Sequence, residues 1–242
     1  MRPKLSNTVL YIVPHQDDEL LTFGIDIANS VKEGCDVHVL LCTDGASSNV
    51  RLRLGNREFC TQCNEQHVFD LTKADFTATR DQEFSGSCAA LGVKPENVHI
   101  EDERIVDGQL TVEAAKPLIA KYVKLLGDDC TVCTMYPNPP EIQHIDHRRL
   151  GLAALELKKE GVIKHLVLME EPYVAVIAEH TPDDKPTIIY ASDDVAKQIE
   201  NAVSEYFLWK PAEKRYAVGF HSVPDEMNQL KTEKGLYYHI CD

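Results

Sequence analysis

Two short stretches of the chain are dense in residues that bind metal ions or transfer protons. The first is His15-Gln-Asp-Asp-Glu19, in which four such residues fall within five positions, and the second is His144-Ile-Asp-His147. Histidine and carboxylate at three positions, with a further coordination position left open, form the catalytic metal sites of zinc hydrolases. The remaining acids and histidines could then serve as a base for water and as a stabiliser of developing charge.

Both stretches follow segments that read as strands. The apolar run Val9–Val13 stops at Pro14, directly before His15, and the run Thr131–Tyr136 leads into the segment that ends at His147. Strands buried on both faces of a parallel sheet are continuously apolar, and ligands bind outside the carboxyl ends of such strands. We therefore expect the two stretches to share one pocket, although they lie far apart in the sequence.

The pattern around the first stretch is that of a strand, a loop, a helix and a second strand. A helix is expected to begin at Asp18-Glu19 and to stop at Gly34, because carboxylates favour a helix N-terminus and glycine is a common stop. Asp36–Thr43 reads as the next strand. This order is the signature of a parallel sheet.

The rest of the chain continues to alternate between helix and strand. Pro117 is expected to kink or interrupt the helix that contains it. The irregular residues 46–76 are interpreted as an insertion or lid within a single domain spanning residues 1–242. The patterns predict helices at Arg80–Gly92, Thr111–Leu126, Arg148–Lys159 and Asp193–Trp209, and strands at Asn97–Glu101, Thr131–Tyr136, His165–Met169 and Thr187–Tyr190.

The composition limits the classes of partner. The formal net charge is −14 and the isoelectric point is near 5.1, which argues against duplex nucleic acid or an anionic membrane as the main partner. No apolar run approaches the roughly 20 residues that span a bilayer, and residues 1–7 lack the apolar core of a signal peptide. We expect a cytoplasmic protein that acts on a small molecule, without membrane insertion, and a homo-oligomer is left open.

The eight cysteines are not expected to form a disulfide framework, because no export signal is seen. Cys60-x-x-Cys63 and Cys130-x-x-Cys133 together could hold a structural zinc ion. However, about 66 residues separate the two pairs, whereas zinc modules usually keep them much closer. A four-cysteine site is therefore disfavoured, and Cys60 and Cys63 could be exposed thiols of the lid.

With both stretches in view, the sequence resembles the PIG-L/LmbE-like zinc N-deacetylases. The signature of that family is a strand followed by His-Pro-Asp-Asp-Glu and, much later, His-x-Asp-His. The chain has Gln16 in place of the proline, a position that contributes shape rather than a ligand. Shorter matches are Thr43-Asp-Gly45, Arg80 with Glu83, Leu91-Gly-Val93 and Phe220-His-Ser222. The resemblance implies a Rossmann-like three-layer α/β/α fold with a mostly parallel central sheet.

The resemblance also implies a metal site and a base. One zinc ion per subunit would be held by His15, Asp18 and His147. Asp17 would be the general base that deprotonates the water bound to zinc. If both adjacent aspartates coordinated the metal, no base would remain, so one ligand and one base is the simpler division.

Further roles follow from the resemblance. His144 would stabilise the oxyanion and help to protonate the leaving amine, and Asp146 would orient a histidine. Glu19 would support the site rather than bind the metal. Arg80 is a candidate for contact with the substrate, and His221 for the wall of the pocket.

The implied reaction is removal of an N-acetyl group from an N-acetylglucosamine-type sugar or glycoconjugate. Hydrolysis of another small-molecule amide is an alternative. A non-haem iron enzyme would use a similar set of two histidines and one carboxylate, but its scaffold is usually all-β. An inactive sugar-binding module is a third alternative, although every expected catalytic position is present in the sequence.

Overall fold

A computed structural model of the protein describes residues 5–139, 141–175, 177, 187–232 and 235–241. The strand that precedes the first acidic stretch lies at the centre of its main sheet. Strand β1 (Thr8–Val13) pairs in parallel with β2 (Asp36–Thr43) on one side and with β6 (Thr131–Met135) on the other. Residues 9–13 of β1 are completely buried. This burial on both faces explains why the strand is continuously apolar.

Seven strands form the main sheet, in the order β5 (Val98–Ile105), β2, β1, β6, β7 (His165–Glu170), β11 (Gly235–Cys241) and β8 (Thr187–Tyr190). The first five are parallel, and β11 pairs in antiparallel fashion with both β7 and β8. The prediction of an α/β fold with a mostly parallel central sheet is confirmed.

Helices flank the sheet in two groups. Helices α5 (Val112–Leu126) and α6 (Ile145–Lys159) pack on each other, and α8 (Asp193–Tyr206) packs on α2 (Gly24–Lys32) and α4 (Lys73–Ala90). The shorter helices are α1 (Asp18–Leu21), α3 (Val50–Leu54), α7 (Pro172–Ala175), α9 (Val218–Ser222) and α10 (Pro224–Thr232). No helix within the described residues combines the length and the apolar character needed to cross a bilayer.

The single helix predicted after the first acidic stretch is wrong, because α1 ends at Leu21 and α2 begins at Gly24. Helix α1 contacts α4, α8 and α10, whereas α2 packs on β2 and α8. One straight helix could not meet both sets of neighbours. The interruption therefore lets α1 follow the acidic loop while α2 covers the sheet.

Several helix boundaries also differ from the predictions. Helix α4 begins at Lys73 rather than Arg80, because the side chain of Thr72 accepts a hydrogen bond from the Asp75 N–H and caps it. Helix α6 begins three residues earlier than predicted, so that His144 is its N-cap. Pro117 lies inside α5 without interrupting it.

The predicted helix that runs to Trp209 ends three residues earlier, at Tyr206. Trp209 belongs instead to β9 (Trp209–Lys210), which forms a small hairpin with β10 (Arg215–Tyr216). Because the indole packs beside His67 and Phe69, tertiary contacts take this residue out of the helical pattern.

The irregular residues 46–76 contain α3, the start of α4 and a second small hairpin. This hairpin consists of β3 (Phe59–Cys60) and β4 (Glu65–Gln66). The segment thus has short strands of its own. Its role as a lid, and the treatment of the chain as one domain, stay predictions.

Helix α6 approaches the end of β6 very closely at Gly151. A Cβ atom at this position would lie 2.3 Å from the carbonyl oxygen of Met135 and 3.1 Å from Pro137. Gly151→Ala is therefore expected to lower the free energy of unfolding by about 1–3 kcal/mol, because the helix must shift. Urea denaturation measures this loss, which has the opposite sign to the usual effect of alanine in a helix.

The control is Gly86→Ala in α4. A Cβ atom there would meet the side chain of Glu205, whose carboxylate oxygen lies 2.5 Å away and can rotate aside. This variant is expected to be as stable as the wild type or slightly more stable. Equal stabilities of the two alanine variants would contradict the close packing of α6.

Candidate active site

The loops that follow β1 and β6 meet at one edge of the sheet. Because these two strands are parallel neighbours, their carboxyl ends lie side by side. His15 follows β1, and His147 lies in the first turn of α6, which begins soon after β6. Their imidazoles lie 3.2 Å apart, measured from His15 Nδ1 to His147 Nε2. The structure thus brings the two motifs together.

Three buried atoms that could bind a metal ion form a nearly equilateral triangle at this edge. Asp18 Oδ2 lies 3.2 Å from His15 Nδ1 and 3.3 Å from His147 Nε2, which closes the triangle with the 3.2 Å contact between the histidines. A zinc ion with ligands at about 2.0–2.1 Å in tetrahedral geometry places neighbouring ligand atoms about 3.3 Å apart. The three atoms therefore fit a metal ion of this size.

Carboxylates hold the opposite edge of the His15 ring. Nε2 of His15 lies 3.3 Å from Asp146 Oδ2 and 3.2 Å from Asp107 Oδ1. Asp146 is fully buried and also accepts hydrogen bonds from the N–H groups of Gly108, at 2.7 Å, and Leu110, at 3.2 Å. A carboxylate behind a metal-binding histidine fixes the orientation of the ring and raises its basicity.

Asp17 points to a different place from its neighbour Asp18 because its backbone is twisted. Its φ of 109° is a conformation that residues other than glycine rarely adopt, and such strain costs on the order of 1–3 kcal/mol. Asp17 Oδ2 accepts a hydrogen bond from Arg80 Nη2 at 3.1 Å, and the Asp17 N–H donates to Glu19 Oε2 at 3.0 Å. These buried contacts hold the Asp17 carboxylate beside the triangle, so that Asp17 does not supply one of the three atoms of the triangle.

Arg80 is buried and binds groups of the site itself. Besides Asp17, its guanidinium donates to the carbonyl oxygens of Gln16, at 2.5 Å, and Gly45, at 2.9 Å. Gly45 has a φ of 63°, and a Cβ atom there would lie 2.1 Å from the Gln16 side chain, so glycine is required. Arg80 reaches the cavity beside the triangle, and its predicted contact with substrate stays a prediction.

His144 lies at the exposed side of the triangle. Its Nδ1 accepts a hydrogen bond from the Asp146 N–H at 3.2 Å, so the ring proton of the neutral imidazole is on Nε2. The ring packs edge-on against His15, with centroids 4.6 Å apart. Burial, together with the nearby His15 and His147, lowers the pKa of His144. A neutral ring with an available N–H is therefore the favoured form.

The charges around the triangle favour a bound cation. Although burial opposes the charged ring, hydrogen bonds to Asp107, Asp146 and Asp18 raise the pKa of His15 well above its usual value. Burial likewise opposes ionisation of Asp18, but His147 and His15 outweigh it and lower the pKa of that carboxyl. Burial also opposes the charged ring of His147, but the Asp18 carboxylate raises its pKa. The raised pKa values of the two imidazoles reflect the negative charge of the surrounding carboxylates, which a metal ion would neutralise.

A cavity of about 390 Å³ opens onto the triangle, which is within the range for small-molecule sites. Of the described residues that line it, two carry aliphatic side chains, Leu21 and Val223. The lining is thus mostly polar. It consists of His15, Asp17, Asp18, Leu21, Ser47, Ser48, Asn49, Arg80, Asp107, Gly108, His144, His147, Glu171, Ser222 and Val223.

His221 is not among the described residues that line the cavity, although Ser222 and Val223 are. The His221 ring is buried, and its Nε2 lies 3.4 Å from Cys60 Sγ. The structure therefore places His221 behind the cavity wall, in contact with the 46–76 segment. Of the eight candidate residues, six line the cavity, and a seventh, Asp146, contacts one of these six, His15.

Two acidic residues at the site were missed by the sequence analysis. Asp107 follows β5, and Glu171 follows β7, where its Oε2 lies 3.9 Å from His147 Nδ1. Burial raises the pKa of Glu171 to about 7. The signal that could have found them is the same one that found His15, namely an ionisable residue directly after a strand of the parallel sheet.

The sequence matches the profile of one protein family. The PIG-L family, described as GlcNAc-PI de-N-acetylase, matches residues 10–158, which is more than half of the chain. Both motifs of the site fall within the matched region. Comparison with curated proteins gave no match.

Solved structures with the same fold include deacetylases and one enzyme of another class. The deacetylase of the A40926 pseudoaglycone is 20% identical, with a TM-score of 0.62 over 95% of this chain and 93% of its own. The N,N′-diacetylchitobiose deacetylase from Pyrococcus horikoshii is 19% identical, with a TM-score of 0.60 over 97% and 84%. The 4-carboxy-2-hydroxymuconate hydratase from Pseudomonas putida is 15% identical, with a TM-score of 0.58 over 96% and 94%. At these identities the likeness shows the fold alone.

Glu19 binds the backbone of Asp17 and is completely buried. Its Oε1 accepts a hydrogen bond from the Tyr206 hydroxyl at 2.6 Å, and its Oε2 accepts one from the Asp17 N–H. Burial outweighs these hydrogen bonds and raises the pKa of Glu19 to about 8. The protonated form of Glu19 is therefore stabilised by folding.

Glu19→Gln should remove a pH dependence of stability. A raised pKa in the folded state stabilises the wild type below the usual pKa of glutamate, and this contribution is lost as the pH rises through about 8. Glutamine cannot titrate, but it can accept from Asp17 and donate to the Tyr206 oxygen. Between about pH 5 and pH 9, the wild type should lose about 4 kcal/mol relative to the variant.

Urea unfolding of both proteins after chelation measures this difference at each pH. Glu19→Ala is the second control, because it removes both acceptors and should be less stable than the wild type over the whole range. A constant difference between the wild type and Glu19→Gln would show that Glu19 stays ionised in the folded protein.

Proposed function

The chain belongs to the PIG-L de-N-acetylase family, and on this premise we propose that it removes the N-acetyl group of an N-acetylglucosamine-type sugar or glycoconjugate with a bound zinc ion. Membership of the family makes the protein an N-deacetylase, a hydrolase of amide C–N bonds. The main support for the sugar substrate and the zinc ion is the triangle of His15, Asp18 and His147. The carboxylate of Asp17 lies beside this triangle and is not part of it.

The residues present suit a catalytic metal ion. Two imidazoles and one carboxylate leave a coordination position open, as in other catalytic zinc sites. When bound, the ion would supply Lewis acidity that makes water a nucleophile near neutral pH and polarises the acyl oxygen. His15, Asp18 and His147 would hold the ion, and the carboxylate of Asp146 keeps His15 turned toward it.

Asp17 is suited to act as the general base. Burial raises its pKa to about 7, against the opposing effect of the Arg80 charge. A base with a pKa near the working pH is best matched for proton transfer. Arg80 and Glu19 fix the position of this carboxylate, so that it can take a proton from water at the open side of the triangle.

His144 is suited to donate a hydrogen bond to the tetrahedral intermediate. Its Nδ1 is occupied by the Asp146 N–H, which leaves the Nε2–H available at the exposed side of the site. Removal of one oxyanion donor in a comparable hydrolase lowers the rate by about 10²–10³. When the C–N bond breaks, the leaving nitrogen would receive the proton that Asp17 has taken from water, and the same N–H of His144 could donate a hydrogen bond nearby.

The cavity supports a polar substrate. Hydroxyl, amide and charged groups dominate its lining, and Ser47, Ser48 and Asn49 offer hydrogen bonds at one side. A sugar needs such partners for its hydroxyl groups, because a polar group buried without a hydrogen bond costs free energy. An N-acetylated sugar therefore matches the cavity better than an aromatic or aliphatic amide.

The direct test is the release of acetate from a panel of N-acetylated compounds, with and without a chelator. The panel contains N-acetylglucosamine, its glycosides with sugar and lipid aglycones, and simple aromatic acetamides as controls. Release from the sugars that stops on chelation and returns with zinc is the expected result. Release from the aromatic amides alone would contradict the sugar assignment, and turnover that requires iron and oxygen would contradict the zinc hydrolase.

The two adjacent aspartates should respond to the same substitution in opposite ways. Asp17→Asn is expected to lower kcat about 10²–10⁴-fold while the protein keeps its metal, because only the base is lost. Asp18→Asn is expected to lose the metal itself, because an amide is a poor substitute for a carboxylate ligand. Acetate release and metal content by mass spectrometry are measured on both variants.

Each variant is the matched control for the other, since both replace a buried aspartate in the same loop by asparagine. Full activity of Asp17→Asn would remove Asp17 from the role of base. A metal-replete Asp18→Asn protein would remove Asp18 from the ligand set.

A further inference from the structure

A second cluster of metal-binding side chains lies outside the candidate active site. Cys60, Cys63, His67 and His221 each offer one ligand atom, and the four atoms all lie within 4.8 Å of one another. Cys60 Sγ is 3.4 Å from His221 Nε2, and Cys63 Sγ is 3.2 Å from His67 Nε2. The cluster contains both cysteines of the 46–76 segment and has no residue in common with the triangle.

Three of the four residues belong to one hairpin. Cys60 ends β3, Cys63 lies in the turn, and His67 follows directly after β4. The pairing of Cys60 with Glu65 closes this turn, so that both sulfur atoms lie at its tip. A Cys-x-x-Cys pair in a tight turn is a common way to present two thiolates to one zinc ion.

Both histidines are oriented as metal ligands. His67 Nδ1 lies 3.1 Å from the carbonyl oxygen of Arg53, and His221 Nδ1 lies 2.7 Å from that of Ala217. Each Nδ1 therefore carries the proton and donates it to a backbone carbonyl, which leaves the lone pair on Nε2. In both rings this Nε2 faces a cysteine sulfur. Metal-binding histidines characteristically donate their other ring N–H in this way.

We propose that Cys60, Cys63, His67 and His221 form a structural Cys₂His₂ zinc site that fastens the 46–76 segment to α9. Tetrahedral zinc with sulfur at about 2.3 Å and nitrogen at about 2.0–2.1 Å places neighbouring ligand atoms about 3.3–3.8 Å apart. Of the two sulfur–nitrogen distances, 3.4 Å lies within this range and 3.2 Å lies just below it. Four protein ligands fill the coordination sphere, as is typical of a structural rather than a catalytic site.

Zinc would supply stability that hydrophobic packing does not supply here. The described residues from 57 to 68 contribute no side chain to either hydrophobic cluster of the protein, and Phe59 and Val68 are exposed. The adjoining cluster is small, with five buried members: Val50, Leu54, Phe76, Tyr216 and Val218. Segments that cannot bury enough apolar surface commonly depend on disulfides or metal ions.

The proposed ion would also brace the wall of the cavity. Arg53, whose carbonyl binds His67, donates from Nη1 to the carbonyl oxygen of His221 at 3.0 Å. The residues just before α3, Ser48 and Asn49, line the cavity from one side, and Ser222 lines it from α9. The cluster thus joins the two segments that supply this part of the wall. The second site would be independent of the chemistry at the triangle.

Cobalt substitution tests the proposal on the unaltered chain. Co²⁺ bound by two thiolates gives a sulfur-to-metal charge-transfer band in the near ultraviolet, whereas the triangle contains no sulfur ligand. The protein purified under reducing conditions and loaded with Co²⁺ should show this band, and it should bind two zinc ions per chain when loaded with Zn²⁺. Absence of the band would overturn the proposal whether or not the protein deacetylates sugars.

Variants separate the two sites. The double variant Cys60→Ser/Cys63→Ser should lose one zinc ion and the charge-transfer band, whereas His147→Ala should lose one zinc ion and keep the band. Cys35→Ser is the matched control, because Cys35 is also partly buried but lies outside the cluster, and it should keep both ions. A double cysteine variant with unchanged zinc content, or a Cys60–Cys63 disulfide in protein purified with excess zinc, would overturn the proposal.

Discussion

The contact between the imidazole of His15 and the carboxylate of Asp146 joins the parts of the site that come from different regions of the chain. His15 belongs to the loop after β1, Asp146 opens α6, and the amides of Gly108 and Leu110 that also bind Asp146 follow β5. A completely buried carboxylate is costly unless each of its oxygens is satisfied. Asp146 therefore keeps its position only while all three segments are in place, and folding and assembly of the site depend on the same hydrogen bonds.

Much of this arrangement could be predicted from the sequence, because the rules for parallel sheets are local and general. An apolar strand followed by His15, and a second followed by His147, had to meet once both strands were parallel neighbours. Asp107 was not predicted as a site residue, because the acidic residues near the end of β5 hide the strand pattern beyond Glu101. The strand in fact runs to Ile105, with a register shift against β2.

The placement of His221 could not be predicted because it depends on a contact between distant segments. The family resemblance implied a place in the pocket wall, whereas the His221 ring faces Cys60. No periodic pattern encodes the packing of an irregular segment such as 46–76 against α9. The termination of α8 before Trp209 has the same origin, since it depends on the rings of His67 and Phe69.

Asp17 and Asp18 show that residue type alone does not set a chemical role. The unusual backbone of Asp17 turns one carboxylate toward Arg80, while its neighbour faces the two histidines. The fold does not set the role either, since it also occurs in a hydratase. In this chain the site combines a buried triangle, the separate carboxylate of Asp17 and a mostly polar cavity.

The division of the cavity lining has a consequence for how such a protein diversifies. The acid and the histidines of the triangle come from the segment after β1 and from the start of α6, whereas Ser47–Asn49 and Ser222–Val223 come from other segments around the cavity. Mutations in these outer segments would alter the surface that meets the remainder of a substrate, whereas the residues of the triangle lie in other parts of the chain. Natural selection can thus vary the accepted molecule and retain the reaction, because the two properties are carried by separate parts of the chain.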